Sequence, residues 1–373
     1  MFVLNDEERA FADSVSRYLD DHYDFGQRAA ILETGPYSEE HWRAFAELGW
    51  IASVFDEHSG GFGNAAAYVG ILMEQFGRRL VVEPLLSTAI ICGRLVASVG
   101  GREELVDRII DGNVQFALAH EEQGALAATV KRGNDGLTLS GSKPVVTNGA
   151  AADFLLVTAT FEGELILLFI SAATEGVEIE PLRGHDGHNL ANVVLNSVAI
   201  SQSDVIATGE QAEDTVGLAL DWGTAALCVE AVGSMSALLE ATRNHLKTRV
   251  QYGRPLADFQ VLQHRLADMF IQLETARSIA FGALDSLAQP PARRQHLVSA
   301  AKIYVFRAAN FVGKQAVQLH GGMGVSEELD VAHHFKRLTM AALQLGHERQ
   351  HLFRFMGSPM ADGMAQLRPD KGT

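Results

Sequence analysis

The segment Arg249-Val-Gln-Tyr-Gly253 places an arginine and an aromatic ring next to a glycine. A guanidinium can hold a pyrophosphate through paired hydrogen bonds, and the ring of Tyr252 could cover a flat heterocycle. The same residues also fit an ordinary helix end, in which Gly253 is the C-terminal cap and the cation complements the helix dipole. Taken by itself, the segment favours the helix end, and a phosphate-bearing ligand is the functional alternative.

A glycine-rich segment, Gln318-Leu-His-Gly-Gly-Met-Gly-Val-Ser-Glu327, lies between two predicted helices. Its glycines let the backbone come close to a ligand, so that amide N–H groups can face phosphate oxygens. A tight turn between helices is the structural alternative. Since no strand precedes the segment, it does not fit the strand-turn-helix fingerprint of a nicotinamide-binding fold.

A third segment, Gly141-Ser-Lys-Pro-Val-Val-Thr-Asn-Gly149, falls in a β-rich stretch. The Thr147 hydroxyl and exposed backbone at a strand end could hydrogen-bond the edge of a flavin. Thr-Asn-Gly is equally typical of a simple turn. Each of the three segments is therefore ambiguous when it is considered alone.

The elements that position these segments follow from the hydrophobic periodicity. Apolar residues recur at helical spacing from Asp6 to about Val114, form short β-rich runs from Phe116 to Ser201, and return to helical spacing from about Gly209. One late helix carries an apolar stripe of Leu262, Leu266, Met269, Leu273, Ala276 and Ala280. The pattern predicts an α+β protein with an N-terminal helical domain (1–114), a middle β-barrel-like domain (115–206) and a C-terminal four-helix bundle (207–373). The tail after Pro359 is expected to fray.

Composition excludes several classes of partner. The formal net charge of -16 comes without a long basic stripe, which argues against nucleic acid. The two cysteines, Cys92 and Cys228, lack a metal-ligand spacing, so we expect reduced core thiols and no metal site. The N-terminus lacks the features of a signal peptide, and no apolar run appears long enough to cross a bilayer. These features predict a cytoplasmic protein without a membrane span.

Taken together and in this order, the segments resemble the acyl-CoA dehydrogenase family along nearly the whole chain. The resemblance rests on Trp42 to Gly49 with Glu57 to Gly63 for the first helical domain, Gly141 to Asn148 for the GxKxxITN strand, Arg249 to Met269 for the RxxFGxxxxxFQxxQxxLADM segment, and Gln318 to Glu327 for the QxxGGxGxxxE loop. The surroundings of Lys247 and of Phe335 also resemble the small subunit of heteromeric members such as pimeloyl-CoA dehydrogenase.

The resemblance implies FAD as cofactor and the α,β-dehydrogenation of an acyl-CoA thioester, with electrons passed to an electron-transferring flavoprotein. A carboxylate removes the α proton while the β hydrogen leaves as hydride. Thr147 is implied to bond the flavin edge. The residues implied to reach the ADP half of a neighbouring subunit's FAD are Arg249, Gln251, Tyr252, Gln318, Gly321 and Gly322. Such donation implies a homo- or hetero-oligomer.

The sequence departs from the family where the catalytic base belongs. Members usually place a Glu in an EGT triplet before the last helix, and here the matching residues are Leu345, Gly346 and His347. Other members place it near the start of the bundle's first helix, where this chain has Gly223 followed by Thr224.

Three carboxylates lie near the vacated positions: Asp221, Glu230 and Glu348. Asp221 is the candidate catalytic base, although an exposed Asp at a helix start is the favoured interpretation of this residue. His347 stands where the family has a Thr that touches FAD, which favours a packing or cofactor contact over a role as proton acceptor. In the β region, Ala119-His-Glu-Glu-Gln-Gly-Ala125 replaces the family's TEPxxGSD loop, so the usual cradle for the flavin pyrimidine is shortened.

Three hypotheses follow. The chain is a helper subunit that lends its phosphate-binding segments to a partner carrying the base, a self-sufficient dehydrogenase with an unusual base such as Asp221, or a homologue that binds FAD or acyl-CoA without chemistry. The acyl group stays open between dicarboxylyl, aromatic and steroid side-chain thioesters.

Overall fold

The structure is a computed structural model that describes residues 4–122, 124, 127–133 and 136–357 of the 373-residue chain. The tail predicted to fray after Pro359 lies outside the described residues, as do Gln123 and Ala125 of the shortened loop. The chain divides into two compact units. The helix–sheet unit comprises Leu4–Leu72 and Val81–Gly223, and the bundle unit comprises Met73–Leu80 and the chain from residue 224 onward.

The first part of the helix–sheet unit is helical, as predicted. Its helices are α1 (Asp6–His22), α2 (Phe25–Thr34), α3 (Glu39–Glu47), α4 (Trp50–Ser53), the first half of α5 (Ala65–Arg79), a π-helix (Leu85–Gly93) that continues as α6 (Arg94–Val99), and α7 (Glu103–Ile110). The acidic run at the N-terminus starts α1, where Asn5 accepts from the backbone N–H of Glu8 and the Glu8 side chain accepts from that of Asn5. This reciprocal capping satisfies two otherwise unpaired donors.

The middle of the chain forms one mixed sheet. Its strands are β1 (Phe116–Ala119), β2 (Thr129–Gly133), β3 (Gly136–Thr147), β4 (Phe154–Phe161), β5 (Glu164–Ser171), β6 (Val177–Arg183), β7 (Asn189–Ile200) and β8 (Val205–Thr208). The strand order is β6-β7-β3-β2-β4-β5-β8, and β1 pairs with β4 in parallel.

The predicted β domain is confirmed, but as an open sheet instead of a closed barrel. Among the described strands, β6 and β8 each have a single neighbour. The outer strand β6 carries Glu178, Glu180 and Pro181, and the proline has no N–H to donate to a further strand. Its sequence is therefore that of an edge strand. One face of the sheet buries an apolar core that includes Leu139, Leu155 and Val193.

The bundle unit is formed by long helices. They are the second part of α8 (Gly209–Thr248), α9 (Gln260–Asp285), α10 (Pro291–His320), α11 (Asp330–Ala341) and α12 (Glu348–Phe355), with a short hairpin of β9 (Val250–Gln251) and β10 (Arg254–Pro255) after α8. The predicted stripe on α9 is largely confirmed, because Met269, Leu273, Ala276 and Ala280 are buried while Leu262 and Leu266 are half-buried. The C-terminal helical domain of the prediction corresponds to this unit and the start of α8.

Two glycines allow α5 and α8 to cross at very short range. A Cβ atom added to Gly77 would lie 1.9 Å from the carbonyl oxygen of Glu230, and one added to Gly233 would lie 1.9 Å from that of Glu74. These distances are far below van der Waals contact, so only glycine permits the two backbones to approach this closely.

Helix α8 is long and apolar enough, by composition, to cross a membrane, which the search for apolar runs in the sequence did not find. However, 83% of its most apolar window is buried inside the protein. This burial is the property of a core helix, whose apolar side chains are already covered by protein.

Candidate functional site

The Arg249 segment forms a two-stranded hairpin. Helix α8 ends at Thr248, and β9 and β10 pair around the turn Tyr252-Gly253, where φ is 55° and 80°. Positive φ at both turn residues is typical of a tight hairpin turn, in which glycine is favoured at the second position. The alternative of Gly253 as a helix cap is therefore wrong. Arg249 and Gln251 are exposed, and Tyr252 retains 90% of its accessible surface.

The glycine-rich segment follows the end of α10 directly. Gln318 lies in its last turn, and Gly321 begins a short 3-10 helix (Gly321–Val325) with a φ of 63°. Gln318, Gly321 and Gly322 are all exposed, and no atom lies within 4 Å of where a Cβ of either glycine would stand. The backbone here is accessible to a ligand as well as forming the turn between α10 and α11.

A pair of histidines brings these two segments together. The rings of His245 and His320 lie 4.4 Å apart between centroids, His245 is one helical turn before Arg249, and His320 immediately precedes Gly321. Burial lowers the pKa of His245, and His320 and Arg249 lower it further. The hairpin and the glycine loop are therefore neighbours at one end of the bundle unit.

This end of the bundle fits the phosphate part of a flavin nucleotide. Arg249 has no carboxylate within salt-bridge distance among the residues that the structure describes, so its charge is open to an anion. A guanidinium beside accessible backbone N–H groups is a common arrangement for binding phosphates. The residues present are therefore suited to the role that the sequence predicts for them.

Thr147 ends strand β3 in the helix–sheet unit, and a buried polar network fixes the turn after it. Ser87 of the π-helix donates to the carbonyl oxygen of Thr147 at 3.2 Å. The next residue, Asn148, has a φ of 63° and donates to the carbonyl oxygen of Phe116 at 3.2 Å, while its own side-chain oxygen accepts from Asn189 at 2.9 Å. This network, which sequence reasoning missed, holds the strand end that carries Thr147.

The loop between α11 and α12 carries a leucine where relatives are expected to have the base. Leu345 is half-buried with a φ of 56°, and Gly346 follows with a φ of 96°. Nε2 of His351 donates to the carbonyl oxygen of Leu345 at 2.9 Å, and Nδ1 accepts from the Ser299 hydroxyl at 3.2 Å. Burial lowers the pKa of His351 to about 4, so the ring is neutral and both nitrogens are used.

A buried lysine holds the same loop. Nζ of Lys302 donates to the carbonyl oxygens of Ala341 at 2.7 Å and of Gln344 at 2.8 Å. Desolvation lowers the pKa of Lys302 to about 7. The left-handed conformation at Leu345 is thus supported by groups on α10 and α12, although the loop offers no carboxylate of its own.

Glu230 and Glu348 each form an ion pair with an arginine. Glu230 is 6% exposed and forms a two-point ion pair with Arg337, whose Nη2 lies 2.8 Å from one carboxylate oxygen. Glu348 is exposed and accepts from Nε of Arg307 at 2.9 Å. Neither is poised to remove a proton from a substrate.

Asp221 does not lie at an exposed helix start, and that expectation is corrected. It lies well inside α8 with 0% of its surface exposed, because α8 begins at Gly209, a dozen or so residues earlier. Its neighbour Trp222 and the following Thr224 are also buried. The sequence suggested an exposed acid at a helix start, and the structure has a buried carboxylate there instead.

His347 caps α12 and lies away from the hairpin and the glycine loop. Its Nδ1 accepts from the backbone N–H of Gln350 at 3.3 Å, and its side chain is exposed. The adjacent Glu348 contacts Arg307, which is about 16 Å from Gln318 along α10 at the usual helical rise. If His347 and the glycine loop contact the same ligand, that ligand is extended.

The comparisons with known proteins agree with this arrangement. Residues 5–115 match the model of the acyl-CoA dehydrogenase N-terminal domain, and residues 214–352 match that of the C-terminal domain. Acyl-CoA dehydrogenase IpdE2 of Mycolicibacterium smegmatis is 28% identical over 94% of this chain and 98% of its own length. The short-chain specific acyl-CoA dehydrogenase of Megasphaera elsdenii is 27% identical over 93% of this chain and 96% of its own length.

Solved structures give the same result. The Tcur3481-Tcur3483 steroid ACAD is 27% identical, with a TM-score of 0.85 over 96% of this chain and 99% of the other. The ChsE4-ChsE5 complex of Mycobacterium tuberculosis shares the fold, with a TM-score of 0.87 at 21% identity over 99% of this chain and 100% of the other. The chain therefore belongs to the acyl-CoA dehydrogenase family of FAD-binding oxidoreductases.

Proposed function

We propose that this chain is a partner subunit of a heteromeric acyl-CoA dehydrogenase and holds the phosphate end of FAD without supplying the catalytic base. The observation that carries the proposal is the combination of an intact, exposed cluster at Arg249 and Gly321 with a leucine at position 345. An exposed arginine and an accessible glycine loop serve a ligand better than they serve packing, and a dehydrogenase with leucine at position 345 has to obtain its base from another position or from another chain.

The absent carboxylate matters because the reaction requires it. FAD supplies the hydride acceptor when it is bound, and a protein group must remove the α proton of the thioester. The aliphatic side chain of Leu345 has no atom that accepts a proton. The imidazole of His351 donates to the loop backbone and accepts from Ser299, so it is not available as a substitute.

In the proposed assembly, Arg249, Gln251 and Tyr252 meet the ADP half of the flavin nucleotide together with Gln318, Gly321 and Gly322. Thr147 hydrogen-bonds the flavin edge, and His347 makes a further cofactor contact. Arg249 binds phosphate oxygens through its guanidinium, and the glycine loop offers backbone N–H groups. In this proposal the flat ring of Tyr252 covers the adenine; the ring is held on a hairpin and is exposed, which supports the assignment.

The names of several relatives support a multi-chain assembly. The Tcur3481-Tcur3483 steroid ACAD and the ChsE4-ChsE5 complex are each named for two components. The Acetobacterium woodii protein CarC, 25% identical over 81% of this chain, is named as a subunit of a caffeyl-CoA reductase-Etf complex. We therefore propose that the partners of this chain are a second acyl-CoA dehydrogenase chain and an electron-transferring flavoprotein. We also propose that the assembly is cytoplasmic.

The test is to copurify the chain with its partner chain and measure bound FAD by absorbance. Arg249→Ala should raise the dissociation constant of FAD at least about tenfold, the change expected when a charge-assisted hydrogen bond is removed, and so lower the flavin that the complex retains. Arg243→Ala is the matched control, because Arg243 is an exposed arginine on the last turns of α8, shortly before Arg249. Equal flavin in the two variants would contradict the proposed role.

The second candidate is a self-sufficient enzyme with Asp221 as base. This carboxylate is fully buried on α8, next to the position where other members place their base, whereas Glu348 is exposed. Under this alternative the isolated chain reduces its own flavin on adding substrate, and Asp221→Asn abolishes the reduction. If the chain takes up no FAD even with a partner present, the result would favour the third hypothesis, in which the chain binds acyl-CoA without chemistry or serves as a scaffold.

A further inference from the structure

Two histidine rings stack at the end of the bundle unit where the Arg249 hairpin meets the glycine loop. The rings of His245 and His320 lie 4.4 Å apart between centroids, with 30° between their planes. His245 is in the last turn of α8, and His320 is the last residue of α10. Sequence reasoning gave neither ring a role, although they connect the two segments that are suited to phosphates.

Hydrogen bonds fix the position of the pair relative to both segments. Nδ1 of His320 donates to the carbonyl oxygen of Ala316 at 2.8 Å, and this nitrogen carries a hydrogen because a carbonyl oxygen can only accept. The backbone N–H of Arg249 donates to the carbonyl oxygen of His245 at 2.9 Å, so Arg249 follows His245 by one helical turn. Gly321 follows His320 directly. An anion held by Arg249 and the glycine loop therefore lies beside the pair.

The surroundings of His245 make its protonation sensitive to a bound anion. The titratable and charged groups that face it are His320 on α10 and Arg249 at the end of its own helix. Burial lowers the pKa of His245, and these two groups lower it further, so the ring is neutral near pH 7. A diphosphate at the same place adds negative charge, which favours the protonated imidazole. Binding of such an anion therefore raises the pKa that the free site lowers.

We propose that His245, stacked on His320, is a pH-sensitive part of the cofactor site, which takes up a proton when the phosphate end of FAD binds and so holds FAD more tightly as the pH falls. The inference rests on the proposed function, since it assigns a proton to the same site. Two positive charges on rings in contact would repel each other, so we expect one proton for the pair.

The direction of the pH dependence follows from the proton uptake. Between the pKa of His245 in the free site and its higher pKa in the loaded site, the loaded site holds a proton that the free site lacks. The affinity for FAD therefore increases as the pH falls through this window and levels off below it. A pKa rise of one unit corresponds to about tenfold tighter binding at the low-pH limit. The diphosphate of FAD is a diester that stays ionised from pH 5.5 to 8, so the ligand itself does not titrate there.

The experiment titrates FAD into the complex of this chain with its partner, after removal of bound flavin, and follows flavin fluorescence at pH 5.5, 6.5 and 8. The wild type should bind FAD severalfold more tightly at pH 5.5 than at pH 8. His245→Gln should reduce this difference by weakening binding at pH 5.5 alone, and His245→Arg, a permanent cation, by tightening binding at pH 8. His296→Gln is the matched control, because His296 stacks on Phe355 about 36 Å away along α10 at the usual helical rise.

Titration calorimetry at pH 6.5 in two buffers of different ionisation enthalpy counts the protons taken up per FAD, and the wild-type measurement needs no variant to fold. Uptake should be a fraction of one proton and should be smaller in His245→Gln; uptake by other histidines persists in that variant. Binding of FAD without proton uptake, or with the same pH dependence in wild type and His245→Gln, would overturn this inference and leave the proposed function standing. Absence of FAD binding at every pH would overturn both.

Discussion

Replacing Lys302 by methionine should destabilise the protein in a way that grows with pH. The lysine is buried on α10 and donates to the carbonyl oxygens of Ala341 and Gln344, at the start of the loop that carries Leu345. Methionine has a similar length but no donor, so the two carbonyls lose their partner. Two unsatisfied buried acceptors cost about 2–4 kcal/mol in total.

The pH dependence follows from the pKa of Lys302, which desolvation lowers from 10.5 to about 7. A lysine whose pKa is lower in the folded state binds fewer protons there than in the unfolded chain between those two values. The free energy of unfolding of the wild type therefore rises with pH in this window, by up to roughly 1.4 kcal/mol per unit. The methionine variant lacks this contribution, so the difference between the two proteins should be about 2–3 kcal/mol larger at pH 9 than at pH 7.

The assay is urea unfolding of both proteins at pH 7, 8 and 9, followed by circular dichroism. Lys314→Met is the matched control, because Lys314 is exposed on the same helix and its replacement should have little effect at any pH. A difference between wild type and Lys302→Met that stays constant or shrinks as the pH rises would refute the reasoning.

Three further predictions concern packing and burial. Gly233→Ala should lower the free energy of unfolding by more than about 3 kcal/mol, since its Cβ would lie 1.9 Å from the Glu74 carbonyl oxygen. Gly217→Ala in the same helix is the control. Its Cβ meets no atom within 4 Å, so it should be neutral or stabilising in thermal unfolding. Glu230→Gln should cost about 3–5 kcal/mol in urea unfolding because it removes one charge of a buried two-point ion pair with Arg337, and a loss below 1 kcal/mol would show the pair to be dispensable. Burial raises the pKa of Glu83 to about 7, so the folded state binds more protons than the unfolded chain between 4.5 and 7 and stability should fall as pH rises through that window. Glu83→Gln should remove this slope in thermal unfolding measured across the same pH range, and a slope equal to that of the wild type would contradict the assignment.

The hydrophobic periodicity was sufficient to predict the order of helical, β-rich and helical regions, because those patterns are set by local spacing. It could not predict that the sheet stays open, since closure depends on which strands lie at the edges. The edge signal was nevertheless present in β6, where Pro181 and two glutamates lie within one strand. The boundaries at residues 114 and 206 stay a prediction, because the compact units divide the chain inside α5 and α8 instead.

The candidate site was predictable where short motifs carry it. Arg249 and the glycine loop were named from the sequence, and the structure places them at one end of the bundle unit through the contact of His245 with His320. That contact joins residues far apart in the chain, so no local pattern could indicate it. The burial of Asp221 was missed for a related reason, because burial inside a long helix depends on tertiary packing that local spacing does not show.

The most direct test of the central claim is the turnover of an acyl-CoA by the isolated chain, compared with that of the same chain copurified with its partner. The account predicts that FAD-loaded isolated chain shows no reduction of flavin absorbance on adding acyl-CoA, while the complex reduces its flavin and passes electrons to an electron-transferring flavoprotein. Rapid flavin reduction by the isolated chain would contradict it. The chain would then supply its own catalytic base in spite of the leucine at position 345.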